Sequence, residues 1–454
     1  MSALDRSQRP SSGPIRHFDF PEVDRRTLPN GLDLRVARIS RLPVVSVNLF
    51  MRGGAQALSE KHGGLSVLAG TALEGGTKWR SGTELAESVE RIGARLNVAA
   101  GWEGTSVTLS CLADRMEEGL PLLVETVLEP SFPEEEVDRA REQQLAAIQQ
   151  RAMDPASLAN DAAPRRYFAQ GTPYARPATG TLDSVADVTR DDLRGYAESS
   201  YRPGRAGGLV VVGDVDAAEV EKLAIDCLGS WTGDPQEVVD FTVEPATTER
   251  RVLIVHRPGS VQSEIRVGHV GLERATPDYF PISIANMLLG GTFTSRLNLN
   301  LRERHGFTYG VRSGFAFRSS PGPFQVSTAV ANDVTAAAVG EIIRELEGLA
   351  HNGATEEEVA ATKDFAAGIF GLQLETVGQI ATRLTQSIVF GLSDDYYHRY
   401  RDNIRGVSVE EVSAAARSHL RPHEAQIVIV GDADDIRPAL EALELGSVEV
   451  TDLA

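Results

Sequence analysis

VTRDDLRGYAESSYRP (188–203), followed by LVVVGDVDAAEVEKL (209–223), returns near the end of the chain as VSVEEVSAAARSHLRP (407–422), followed by IVIVGDADDIRPAL (427–440). Positions 188 and 407 stand 219 residues apart, and 209 and 427 stand 218 apart. A third pair, PEEEVDRAR (133–141) and TEEEVAATK (355–363), keeps the same order at a spacing of 222. Each copy reads as a helix closed by Arg-Pro, a short apolar strand, a Gly-Asp turn and another helix. A period this long makes the repeated unit a whole domain and not a solenoid module.

Outward from these anchors the grammar mixes α and β. LDLRVARI and VVSVNLFMRGG have the alternation and β-branching of strands, and LNVAAGWEGTSVTLSCL reads as a strand pair. Ser81 followed by Glu84 predicts a capping box, with Leu85, Val89 and Ile92 on one helical face. LPLLVETVL reads as a buried helix, and a further helix is expected over 133–151. Strands and long helices without strict βαβ alternation predict an α+β fold in two homologous domains, each an antiparallel sheet covered by helices on one side. The expected boundaries are a flexible leader (1–24), a first domain (25–231), a polar linker (232–250) and a second domain (251–454).

Composition narrows the classes. A chain of 454 residues with 42% hydrophobic and 24% charged residues is globular and long enough for two cores. A formal charge of −19 argues against nucleic acid, which needs a basic face, and suits solubility or a chamber for cationic peptides. The two cysteines, Cys111 and Cys227, form no CxxC pair and read as small buried apolar groups. No apolar run reaches 18 residues, so no membrane span is expected, and MSALDRSQRPSSGPIRHFDF lacks an apolar signal core. A cytoplasmic location is the expectation, or a periplasmic one if a signal had been removed.

The stretch EKHGGLSVLAGTALEGGT (60–77) resembles the metal-binding helix of the pitrilysin/insulinase family of inverted zincins, which includes the mitochondrial processing peptidases. In that family HxxEH precedes a Gly-Thr. Counting back from Gly76-Thr77 places the motif on Val67, Leu68, Ala69, Gly70 and Thr71. The family's distal Glu ligand falls at Ala147, in REQQLAAIQQ. Zinc needs imidazole, thiolate or carboxylate donors, and hydrolysis needs a carboxylate base, so Val67, Gly70, Thr71 and Ala147 form a degenerate site. None of the nine histidines offers a replacement. His62 precedes the motif, Pro422 interrupts the His419/His423 pair, and His269 and His305 lie on a strand and inside a second signature. P-loop, GxSxG and dinucleotide fingerprints are absent.

That second signature is LLGGTFTSRLNLNLRERHGFTYGVRSGF (288–315), which resembles the family's C-terminal motif of Gly-Gly, Ser-Arg-Leu and Gly-x-x-Tyr. The resemblance implies that Arg296 and Tyr309 contact substrate opposite the zinc, the Arg by forked hydrogen bonds and the phenol by donating to an oxyanion. Gly290 and Gly291 are expected to permit a tight turn, and Arg302, Glu303 and Arg304 to form a solvated face. Asn97, Val98 and Ala99 occupy the place where family members add peptide to an exposed sheet edge. The resemblance spans residues from about 25 to 443. It implies a LuxS/metallohydrolase-like clam-shell half and a non-catalytic subunit of a heterodimeric zinc metallopeptidase. The expected partner is a homologous HxxEH subunit holding the zinc, with peptide as substrate and a homodimer conceivable in isolation. No cofactor is expected in this chain. The alternatives are a scaffold of the kind found in the bc1 core proteins and an alpha-like peptide-recognition subunit. The short GGTF segment, in place of a long glycine-rich loop, weighs against the latter.

Overall fold

The computed structural model describes residue 13 and residues 18–203, 207–233 and 241–452. Two six-stranded sheets organise it. In the first, β1 (Val23–Thr27), β2 (Asp33–Arg38), β3 (Val44–Arg52), β4 (Arg95–Ala100), β5 (Gly104–Leu112) and β6 (Gly207–Gly213) run in the order β1-β2-β6-β3-β5-β4. In the second, β7 (Arg251–His256), β8 (Gln262–Val270), β9 (Val311–Phe315), β10 (Pro323–Ala331), β11 (Gln426–Gly431) and β12 (Ser447–Asp452) run β12-β7-β11-β8-β10-β9. Five strands of each sheet, from β2 to β4 and from β7 to β9 in the order given, correspond one to one, which is the duplication seen in three dimensions. The sixth strand comes from the N-terminal side in one unit and the C-terminal side in the other.

The sheets are mixed where antiparallel sheets were expected. β2 pairs β6 in parallel, as do β7 with β11 and β12 with β7. The repeat strands β6 and β11 enter between two earlier strands after long helical excursions, and such crossovers are what parallel pairing requires.

Helices of the first unit are α1 (Leu65–Ala72), α2 (Gly82–Arg91), α3 (Met116–Leu128), α4 (Glu134–Met153), α5 (Pro155–Tyr167), α6 (Leu182–Ala186), α7 (Arg190–Ser200) and α8 (Ala217–Leu228). Those of the second are α9 (Tyr279–Asn286), α10 (Thr335–Asn352), α11 (Glu356–Leu372), α12 (Val377–Val389), α13 (Tyr400–Gly406), α14 (Val409–His419) and α15 (Ala433–Glu441). Ser81 and Glu84 form the predicted capping box on α2, and Thr189/Asp192, Thr355/Glu358 and Ser408/Glu411 repeat the device. Each box satisfies donors that the first helical turn leaves without partners.

Helices cover both faces of each sheet, not one. Along β6, Leu209 and Val211 join the core of the first unit, while Val210 and Val212 face Ile380 and Leu384 of α12. Along β11, Ile427 and Ile429 face their own core, while Val428 and Val430 meet Ala159, Ala163 and Tyr167 of α5. Each unit thus sends one helix across to the other's sheet. The unbroken apolar runs LVVV and IVIV carry the signal, since strands buried on both faces lose polar alternation. Polar contacts fix the exchange: Asn48 donates to Thr385 Oγ1 (3.0 Å), Arg35 to Ser387 Oγ (2.6 Å) and Arg266 to Asn160 Oδ1 (2.7 Å).

Residues assigned to the leader and linker are partly fixed. Phe18 meets Phe370 edge-on, and Phe20 stacks on Tyr397 at 5.3 Å between centroids. Strand β1 already begins at Val23. The linker residues 234–240 lie outside the described residues, but Phe241 packs on Tyr174 and Glu244 C=O accepts from Ala169 N–H at 2.9 Å. Two hairpin tips also touch between units. Arg318 lies over the rings of Trp102 and Tyr174, 4.4 and 4.2 Å from their centroids, and Glu103 accepts from the Ser319 amide at 2.8 Å.

Candidate functional site

Helix α1 carries the positions at which the family would hold zinc. Val67 is half-buried, Gly70 is buried and Thr71 is exposed, with Thr71 Oγ1 donating to the Val67 carbonyl at 3.1 Å. Gln144 of α4 donates to the carbonyls of Gly64 (3.1 Å) and Thr179 (2.9 Å), drawing α4 onto the start of α1. Ala147 follows on α4 with its methyl exposed. A Cβ on Gly70 would stand 3.1 Å from the Ala100 Cβ, so glycine lets α1 lie close against β4. A valine, a glycine, a threonine hydroxyl bonded to its own helix and an alanine do not fit zinc.

Four of the described histidines are engaged elsewhere. Buried His269 lies with Nδ1 2.8 Å from the Val270 carbonyl and accepts the Arg421 amide at Nε2 (3.2 Å). Burial pushes its imidazole down to about 4. His419 pairs with Asp278 at 2.6 Å, and His62 with Ser59 at 3.0 Å. Among the described residues one grouping, His256, Asp432 and Asp434, has metal-like spacing. It serves as a cap: His256 Nδ1 accepts from Ala433 N–H (3.0 Å), and Asp432 accepts from the amides of Gly259 (2.7 Å) and Asp434 (3.2 Å).

Directly after α9 the second signature folds as a wide π-helical turn at Met287–Gly291 and another at Asn298–Arg304 leading to β9. π turns insert a residue and re-aim side chains, commonly at functional sites. Gly290 makes no left-handed turn here. A Cβ on it would stand 2.5 Å from Ser313 Oγ, so its role is close approach to β9.

The two arginines of the signature sit in different settings. Arg296 forms a forked pair with Glu358, 2.7 Å at both Nε and Nη2, and also donates to the Gly353 carbonyl (3.1 Å). Glu358 is the capping residue of α11, and its hydrogen bonds from Arg296 hold its carboxyl down to about 2. Arg296 therefore ties two elements together. Arg302, expected on a solvated face, lies over the Phe293 ring at 4.0 Å and lines a cleft of about 480 Å³ with Tyr309, Thr292, Phe293 and Arg312. Tyr309 is 99% exposed, an unusual state for a tyrosine within so ordered a motif. The spacing of seven between Arg302 and Tyr309 was a signal available in the sequence. The neighbouring leucines divide: Leu297 and Leu301 are buried, and Leu299 is exposed.

Sequence reasoning also missed Asn298, whose buried amide donates to the carbonyls of Thr292 (3.1 Å) and Val311 (2.8 Å) and accepts from the Val311 N–H (3.2 Å). Asn97, Val98 and Ala99 lie on β4, the outermost strand of the first sheet, with Asn97 and Ala99 exposed and Val98 half-buried. A groove of about 510 Å³ runs beside it, lined by Leu85, Val89, Leu96 and Asn97, with Glu74 and Glu90 at its margin. By area Glu74 is exposed, yet its packed surroundings push its carboxyl upward, while a hydrogen bond from the Val98 amide pulls it back.

Two duplicated units, an exchanged helix from each, and a metal helix without ligands define an inactive member of a zinc-peptidase fold. The chain belongs to the M16 (insulinase) peptidase family: residues 35–181 match the model described as insulinase (peptidase family M16) and 187–365 the peptidase M16 inactive domain. It is 25% identical over 418 residues to an uncharacterised zinc protease, ML0855, of Mycobacterium leprae, spanning 90% of this chain and 91% of the relative. It is also 25% identical over 398 residues to the non-peptidase homolog YmxG of Helicobacter pylori (86% and 90%). Subunit 1 of the bovine mitochondrial cytochrome b-c1 complex matches at 24% over 270 residues, 60% of this chain and 56% of that subunit. A solved peptidase M16 inactive domain from Pseudomonas fluorescens superposes with a TM-score of 0.83 at 25% identity, covering 90% and 98%. No helix among the described residues is long and apolar enough to cross a membrane.

Proposed function

We propose that this chain is the non-catalytic subunit of a two-chain zinc peptidase and supplies the substrate half-site to a homologous partner that carries HxxEH. The observation that carries this reading is Tyr309, fully exposed at a cleft it shares with Arg302. A phenol and a guanidinium facing one open space suit a peptide carbonyl, the phenol donating to a developing oxyanion and the Arg holding the chain in place. The zinc and the attacking water belong to the partner, because this chain lacks the ligands for them. The acidic overall charge favours encounter with cationic peptides. Arg302 replaces Arg296 as the arginine of the pair.

Mixed with a partner carrying HxxEH, the chain should raise peptide turnover. Tyr309→Phe should lower kcat by roughly 10²-fold with assembly intact. Equal turnover for wild type, Tyr309→Phe and Arg302→Ala, in complexes shown by sizing to be assembled, would reject the half-site. It would favour a scaffold role, towards which the match to the b-c1 subunit points.

A further inference from the structure

Duplication gives the molecule two equivalent outer strands, β4 and β9, and the structure treats them differently. Leu96 of β4 lies opposite Leu109, the sixth residue of β5, and Val311 of β9 lies opposite Thr328, the sixth residue of β10. Val98 and Ser313 are equivalent in the same way. On β9 the outward N–H and C=O of Val311 and the C=O of Ser313 are taken by side chains of the chain itself. Asn298 donates to the Val311 carbonyl (2.8 Å) and accepts from the Val311 amide (3.2 Å), as a neighbouring strand would. Asn286 donates to the Ser313 carbonyl (3.2 Å) and accepts from its hydroxyl (2.8 Å). Asn298 is 6% exposed, so solvent does not readily displace it. On β4, among the described residues, no side chain caps Leu96 or Ala100. The outward amide of Val98 faces Glu74, whose side chain is accessible.

We infer that Asn298, aided by Asn286, seals the β9 edge of the second sheet against strand addition, so that of the two equivalent edges β4, and not β9, is left open to an extended peptide. An antiparallel guest needs both the N–H and the C=O of alternate residues, and at Val311 both are taken. To bind there a peptide must displace a buried amide and leave its donors unpaired, at a cost that its own hydrogen bonds only replace. The seal also keeps a flat outer strand from pairing with other chains, a standing hazard of open edges. The cleft of Arg302 and Tyr309 beside β9 is left to meet side chains or single carbonyls, not a strand.

Hydrogen–deuterium exchange at residue resolution on the full chain tests this without any partner. The Val311 amide should exchange slowly, and the Leu96 and Ala100 amides quickly. Asn298→Ala should speed exchange at Val311 by roughly tenfold or more. Asn298→Asp, which keeps an acceptor for that amide, should retain most of its protection and serves if the alanine variant fails to fold. An acetylated and amidated peptide of alternating valine and threonine, added at millimolar concentration, should protect Leu96 and Ala100 in the wild type. In Asn298→Ala it should protect Val311 as well. Val311 exchanging as fast as Leu96 in the wild type, or peptide protection appearing at β9 of the wild type, would overturn the seal. Protection at neither edge would overturn the open β4.

Discussion

Arg296 and Arg302 stand six positions apart; the first is paired with Glu358, and the second lines a cleft with Tyr309. A forked guanidinium–carboxylate pair in a partly buried setting is worth more than a surface ion pair, about 1–2 kcal/mol here. Arg296→Ala should therefore lower the thermal midpoint by a few degrees while leaving peptide turnover of an assembled complex near wild type. The pair also sets an acid limb. Glu358 titrates near 2 when folded, against about 4.5 for a free carboxylate, so its stabilisation is complete above the unfolded value. That stabilisation is lost as pH falls from about 4.5 towards 2. Stability curves of wild type and Arg296→Ala should differ most above pH 4.5 and converge near pH 2 in urea titrations. An unchanged midpoint with lost turnover would return Arg296 to the half-site.

At the scale of elements, helix α1 has adapted to the loss of metal. Gly70 lets it rest so close to β4 that a Cβ at this position would come within 3.1 Å of that of Ala100. Restoring Val67→His, Gly70→Glu and Thr71→His should not yield a stoichiometric zinc site, because the fourth position is still Ala147 and the glutamate cannot enter without displacing the strand. Overpacking of this kind costs about 1–3 kcal/mol, so the triple variant should unfold earlier in urea. Metal analysis after dialysis showing about one zinc per chain would place a third ligand elsewhere. The Ser81, Thr355 and Ser408 caps show the opposite regime, in which a helix start is governed by residues within three positions and is legible from sequence.

At the scale of the molecule, α5 and α12 cross between units, so neither sheet has both faces covered by its own half. Leu384 of α12 is 3% exposed within the core against Val210 and Val212. Calorimetry of the wild type should show one cooperative transition. Leu384→Ala should cost about 2–4 kcal/mol and separate the unfolding of the two units. Two transitions in the wild type would show the exchange to be energetically minor. The Trp102–Arg318–Tyr174 contact adds a second tie, with burial drawing the Arg318 guanidinium down to about 10.

The chain's own letters determined the duplication, the helix caps, the strand pairs around residue 101 and the missing zinc donors. All of these depend on residue type and on neighbours a few positions away. The doubly buried runs LVVV and IVIV were also present to be read, although what covers their second faces lies more than 160 residues distant. Tertiary structure alone decided that Arg296 pairs with Glu358, 62 positions on, and that Arg302 lines one cleft with Tyr309. It alone decided that β9 is closed by Asn298 and β4 is not. Such outcomes turn on which distant group reaches a side chain first, and local periodicity carries no information about that.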